Sequence, residues 1–520
     1  MSCQGPALPV CPLFRKESYM VRNEIHSKDI FPSRPRLSRR TFMAGASAVA
    51  VVGSQLGSVA THAAARQDGE LAGKLRIQAG HYTPSESMEK SANNPVPIEA
   101  IQLAADAYIE AHPGVEIEFV RVPEGTDARV WTVTQLTGGT APDIVWTQSF
   151  DTNRDVGKGW WINLLPYMEE PNPYVAEGTE GSARWLDQFF EGPTGAKFAP
   201  NGELYVVPYD LVTTFFFYNK SHFEQAGVEV PTTYAELIEV TAKLQEAGIV
   251  PYNGMQWSQP QLGEMVIGSW AEEFEPTGAA GAYTQKDIAL AILDGIYDAT
   301  KPEYKDWLRL RKDGVAYWSE QWAADPDTTK FDLQFSQGRL GIYEDGSWRF
   351  GLLKANDELN FEWGSFFMPI LEQGEGVGKS SYATGKAAPA IGGATAAQYG
   401  ITNTAEKNGT VDLAIDFLRY ITAPDQASAI IAEKGQFLPN IKGVEVNEDL
   451  KEPLAAIASG VGEAGMIAYG DKIDAEAADK INIATQNYLL ERAELDPTAE
   501  EIQQLLMDQA TKAAEENGWR

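Results

Sequence analysis

Cysteine is nearly absent from this chain. Cys3 and Cys11 are the two in 520 residues, so the long remainder has no disulfide framework, no thiolate metal site and no cysteine nucleophile. Histidine is also sparse, with five residues. Beyond the N-terminal segment only His81, His112 and His222 remain, scattered and without the H-E-x-x-H spacing of a zinc hydrolase. There is no G-x-S-x-G elbow. The segment 374–380 ends in Gly378-Lys379-Ser380, but Gln373 stands where a phosphate loop needs its first glycine, which leaves a turn. No run of eighteen apolar residues offers a spanning helix. Positive charge is short: 42 Lys and Arg face 73 Asp and Glu, a net charge of −31. Such a surface repels nucleic acid and anionic membranes and favours solubility. The chain is expected to have no catalytic residue, no metal and no cofactor.

The N-terminal segment has the order of an address label. Ser38-Arg39-Arg40-Thr41-Phe42-Met43 precedes a mild apolar run over 44–60, interrupted by Gly45, Gly53 and Gly57, and then Ala63-Ala64-Ala65. It resembles a twin-arginine export leader, cut after Ala65 so that the mature chain begins near Arg66. Residues 1–65 carry eight Lys/Arg and three Asp/Glu, so their removal takes the net charge from −31 to −36. Both cysteines leave with them, so no lipid-modified cysteine anchors the mature end. Residues 1–19 precede Met20, a second possible start. Export places the protein in a periplasm or cell-wall space, soluble or loosely membrane-associated. The rest is long enough for two or three domains.

That remainder alternates strand and helix. Leu75, Ile77 and Ala79 alternate with polar residues and stop at Gly80, a short strand and a turn. Ile98, Ile101, Ala105, Tyr108 and Ile109 recur at helical spacing up to Pro113-Gly114. Val115, Ile117 and Phe119 form a half-buried strand, and a third lies around Ile144-Val145-Trp146. This order predicts a βαβ unit and an α/β fold. Val411, Ala414, Ile415, Leu418 and Ile421 make a further helical stripe before Ala423-Pro424.

Four stretches in fixed order carry a family resemblance. They are Pro142-Asp143-Ile144-Val145; then Gly202 to Tyr209 with Phe217-Tyr218-Asn219-Lys220, Ala226-Gly227 and Pro231-Thr232-Thr233-Tyr234; then Phe335 to Trp348; then Ile391-Gly392-Gly393, the helix from Val411, Thr422-Ala423-Pro424-Asp425 and Phe437-Leu438-Pro439. Together they resemble the extracellular solute-binding proteins of ATP-binding-cassette importers, the carbohydrate-type group similar to maltose-binding protein, with Pro231-Thr232-Thr233-Tyr234 resembling the helix cap that follows the start of their second lobe. The resemblance implies a two-lobed periplasmic-binding-protein fold of type II, with a hinge and a cleft. It implies one lobe from 71–208 plus 380–440 and another from 209–379 plus 441–520. It also implies a monomer that captures a sugar and delivers it to membrane permease subunits driven by a separate cytoplasmic ATPase.

Sugars present C–H faces and hydroxyl edges, so a sugar site needs flat aromatic surfaces beside carboxylates or amides. Thirteen tryptophans are available. Trp146, Trp257, Trp270 and Trp348 fall at strand ends or in polar loops, where ring against ligand and ring against core are both open readings. The Gly346-Ser347-Trp348 turn favours ligand for Trp348. Trp160 and Trp161 read as packing. The expected ligand set is Tyr82, Trp146, Tyr209, Asp210, Trp257, Trp348, Gly392 and Gly393. Asp210 either accepts from a hydroxyl or turns the chain, and the glycine pair either admits the ligand or only makes a turn. Asp143 reads as a turn residue. Two rivals stand beside this reading. One is a secreted carbohydrate hydrolase with a carboxylate pair. The other is a binder of another solute, such as a polyamine or an anion, for which Arg349 is the lone cationic candidate.

Overall fold

Strand and helix alternate because apolar period changes along the chain, and the elements assemble around two sheets. The computed structural model describes residues 71–520 apart from 92–93, 95, 124, 196, 200, 213, 256–257, 278–282, 320–328, 358, 387–397, 436, 445–472 and 474. The export leader, Trp257, Gly392 and Gly393 lie outside the described residues.

The first sheet begins with the strand Ala72–Gln78, the helix Ala100–Ala111 and the strand Gly114–Phe119. The two strands pair in parallel, Leu75 opposite Ile117, as the βαβ reading requires. Ile144–Thr147 pairs in parallel on the other side, Ile77 opposite Ile144. Gln398–Ile401 returns from far along the chain and runs antiparallel between Ile144–Thr147 and the short strand Val207–Pro208. The helix Val411–Ile421 buries Ala414, Ile415, Leu418 and Ile421 of its expected stripe, leaves Val411 half-buried, and buries Leu413 and Phe417 as well. Ala423-Pro424 separates it from a second helix, Pro424–Lys434, with the proline in the first turn, where its missing N–H costs nothing. Leu75, Ile77, Ile101, Tyr108, Phe417 and Leu418 share one core.

The second sheet runs in the order Val250–Tyr252, Leu340–Gly346, Thr214–Asn219, Trp363–Phe366. The central strand Thr214–Asn219 is buried on both faces. Pleating sends Phe216 into one core, with Leu262, Trp307, Ile502 and Leu506, and sends Phe215 and Phe217 into another, with Phe331, Phe335 and Phe350. Asn219 caps the helix Lys220–Ala226, and Gly227 ends it at φ 64°. Thr233 and Glu236 form a reciprocal capping box on the helix Tyr234–Glu246, as the Pro231-Thr232-Thr233-Tyr234 pattern anticipates. Trp270 packs in the first-named of these cores and Trp161 in a separate small cluster with Val145 and Tyr205. Among the described residues no helix is long and apolar enough to cross a membrane.

Two short strands connect the sheets. Asp210–Leu211 follows Val207–Pro208 and pairs antiparallel with Leu438–Pro439, Asp210 opposite Pro439 and Leu211 opposite Leu438. Phe437 and Ile441 pack in the first sheet's core, while Leu211 and Leu438 pack with Phe215 and Phe217.

Asp143 is more than a turn. It is buried, and its carboxylate accepts from the Arg76 amide at 2.9 Å, the Thr410 hydroxyl at 2.6 Å and the Asn408 amide at 3.2 Å. It thereby ties the start of the strand Ile144–Thr147 to the strand Ala72–Gln78 and to the start of the helix Val411–Ile421. Asp143→Ala should lower the unfolding free energy by about 3 kcal/mol, since buried donors lose a charged acceptor. Urea denaturation checks this through a lower midpoint at unchanged slope.

Candidate functional site

In open α/β sheets, ligands bind beyond the carboxyl ends of the strands. At that end of Ala72–Gln78 the chain turns through Gly80, whose φ of 58° suits glycine. A side-chain carbon at 80 would lie 2.4 Å from Cγ of Trp146, so the indole occupies the room the glycine leaves. His81 is exposed, edge-on to Trp146 with ring centroids 5.2 Å apart and 5.6 Å from the Phe437 ring. Tyr82 is fully buried, and its hydroxyl donates to Asp210 Oδ2 at 2.7 Å. Burial, reinforced by the Asp210 charge, pushes the Tyr82 hydroxyl far above its ordinary range, so it stays a donor.

Tyr209 belongs to the core. It has no exposed surface, its hydroxyl donates to the Ile421 carbonyl at 3.2 Å, and its ring lies edge-on to Tyr82 and Tyr399. Asp210 is equally enclosed. Its carboxylate fastens the chain through Tyr82, a role that neither sequence reading, hydroxyl acceptor or turn residue, describes.

On the second sheet, Leu340–Gly346 ends at Gly346-Ser347-Trp348. A side-chain carbon at 346 would lie 2.1 Å from Cζ3 of Trp348, so this indole is also seated on a glycine. Trp348 is half-buried and packs against the first sheet's core, although its strand belongs to the second. The Ser347 hydroxyl is buried and has no hydrogen-bond partner among the described residues. Arg349 is engaged: Nε donates to Asp345 Oδ2 at 2.6 Å, and Nη1 lies 2.8 Å from Asp332 Oδ2. Its charge is balanced inside the protein. Glu344 is buried too, accepting from the Ser258 amide and hydroxyl, while its own amide donates to Asn253 Oδ1 at 2.7 Å.

The structure therefore brings Tyr82, Trp146, Tyr209 and Asp210 together with Phe437, and places Trp348 against the same core. Sequence reasoning passed over His81, although it directly follows the glycine that ends the first strand. It used Phe437 only to trace the chain. Gln398 had no signal at all. It is buried in an apolar strand, where its Oε1 accepts from the Ser149 amide at 2.9 Å and its Nε2 donates to Gln148 at 2.7 Å. The turn at 374–380 also has a clear reading. The Gly378 amide donates to the Asp313 carboxylate at 3.0 Å, so an anion there would meet a carboxylate.

Two substitutions test these placements. Tyr82→Phe deprives buried Asp210 of a donor and should lower stability by about 2 kcal/mol in urea unfolding. Ser347→Ala removes a buried polar atom that has no partner in the unliganded protein, so the melting temperature of that form should stay the same or rise in calorimetry.

Comparison with known proteins bears on the fold and the family. A family model described as bacterial extracellular solute-binding protein matches residues 104–456. The multiple sugar-binding protein of Streptococcus mutans is 22% identical over 276 residues, 51% of this chain and 58% of that protein. The alpha-glucosides-binding periplasmic protein AglE of Rhizobium meliloti is 28% identical over 157 residues, 30% of this chain and 32% of that protein. The chain thus spans less than two thirds of the length of either curated relative. Among solved structures, a chitin oligosaccharide binding protein superposes with a TM-score of 0.56 at 19% identity, covering 85% of this chain and 99% of that one. The GacH receptor of Streptomyces glaucescens does so with a TM-score of 0.56 at 18% identity and the same coverage. The fold is the α/β fold of these binding proteins, and since the family match takes in well over half of its length, the chain belongs to the bacterial extracellular solute-binding protein family.

Proposed function

We propose that this protein is the extracytoplasmic binding component of an ATP-binding-cassette importer. It takes a neutral sugar or oligosaccharide between its two sheets and hands it to membrane permease subunits driven by a separate cytoplasmic ATPase. The observation that carries this reading is the pair of half-buried indoles, Trp146 and Trp348, at the strand ends of the two sheets, each seated on a glycine. Flat rings held in this way suit the C–H faces of a pyranose. The named ligands of relatives agree: multiple sugars, alpha-glucosides, chitin oligosaccharides and, in one solved complex, raffinose.

The charges near the site favour a neutral ligand. Arg349 is held by two carboxylates, which removes the cation an anion would need. Asp210 and Glu344 are buried and hydrogen-bonded, which weakens their pull on a polyamine and leaves neither placed as an acid or base for glycoside hydrolysis. The protein acts by capture and release, as a monomer.

The lobes in this reading are 71–208 plus 380–440 and 209–379 plus 441–520. Membership of the two sheets and their cores supports the division. Its lines shift by a few residues, since Ala383 packs with the second sheet's core and Ile441 with the first's. Hinge closure is the known behaviour of periplasmic binding proteins, and only a ligand that touches both lobes favours the closed state. Export follows the twin-arginine route, and Arg39→Lys combined with Arg40→Lys should leave precursor in the cytoplasm, as fractionation would show.

A thermal-shift screen of sugars, polyols and polyamines should give a stabilising sugar, with an affinity of about micromolar, or about −8 kcal/mol. Trp348→Ala should then weaken binding more than tenfold, a loss of roughly 2 kcal/mol, by titration calorimetry. Its melting curve should stay cooperative and near the wild type. Shifts confined to polyamines, turnover of a glycoside, or normal affinity in a stable Trp348→Ala protein would each overturn the assignment.

A further inference from the structure

We infer that His81 is a ligand-contacting residue, the group that reads a sugar hydroxyl beside the Trp146 ring. The inference rests on the sugar-binding reading and adds a contact to it. Three features fix the imidazole in place. Gly80, before it, is interlocked with the Trp146 indole, since any side chain at 80 would meet Cγ at 2.4 Å. Tyr82, after it, is buried and bonded to Asp210 at 2.7 Å. His81 thus sits between two anchored residues in a turn of three, Gly80–Tyr82. Its ring stands at 80° to the Trp146 plane and at 43° to Phe437.

The location gives this ring a purpose. Trp146 is the last residue but one of the strand Ile144–Thr147 in the first sheet, and Phe437 directly precedes the crossing strand Leu438–Pro439. An exposed polar ring in the corner between them lies at the carboxyl end of the first strand, where α/β sheets receive ligands. An imidazole carries ring nitrogens that hydrogen-bond, and a sugar hydroxyl both donates and accepts. Held edge-on to a stacking surface, it addresses the rim of a sugar whose face lies on the indole. Because the turn is already fixed, little ordering entropy is lost when the contact forms.

The test uses the mature protein and titration calorimetry with maltotriose, raffinose and a chitin oligosaccharide. His81→Phe keeps a ring against Trp146 and Phe437 and removes the hydrogen-bonding atoms. His81→Gln restores one donor and one acceptor. For a sugar that the wild type binds, His81→Phe should weaken affinity about five- to tenfold with the melting temperature of the unliganded protein unchanged, and His81→Gln should recover part of the loss. Wild-type affinity in His81→Phe, with Trp348→Ala still impaired, overturns this inference and leaves the sugar reading standing. A wild type that binds none of the sugars overturns both. Loss of affinity matched by loss of unliganded stability in both His81 variants assigns the residue to packing and overturns it as well.

Discussion

The hydrogen bond from Tyr82 to Asp210 is the constraint around which the site is built. It joins the turn after the first strand to a residue 128 positions later, at the point where the chain leaves the first sheet for the second. Enclosing a carboxylate is costly without compensation. Here the phenol supplies a donor, and desolvation keeps that phenol protonated. Asp210 in turn pairs through its backbone with Pro439 on the returning strand. One contact therefore aligns the first strand's turn with both crossings, and Trp146, His81 and Phe437 take their positions around it.

The strongly acidic composition resolves, at this site, into carboxylates that are already engaged. Asp143 fastens strands, Asp210 holds Tyr82, Glu344 holds Ser258, and Asp345 with Asp332 holds Arg349. Formal charge is high, yet the groups near the indoles are matched by internal donors. Carboxylates engaged in this way leave little net attraction for an ion, in keeping with the neutral ligand proposed above. The long-range field of the acidic surface acts instead on solubility and on encounter with other charged surfaces.

Much of the fold was legible because it rests on short-range periodicity. The stripe from Val411 to Ile421 and the Thr233 cap are local patterns, and both appear as expected. The ordered motifs supplied the family. The site was less legible, because facing a cleft or a core depends on contacts far apart in sequence. Adjacency in sequence suggests a shared role for Tyr209 and Asp210, yet the tyrosine hydroxyl reaches the carbonyl of Ile421, 212 residues away. His81 was judged only against metal and catalytic spacings, which it fails; its neighbours Trp146 and Phe437 are distant in sequence, and no local pattern announces them.

The seating of each indole on a glycine links the fates of paired positions. Any side chain at Gly80 or Gly346 would evict the ring above it, and a smaller residue in place of Trp146 or Trp348 would leave a gap over bare backbone. The glycine of a pair therefore cannot gain a side chain while its tryptophan stays in place. Among descendants of this protein the two glycines and their tryptophans should covary as units.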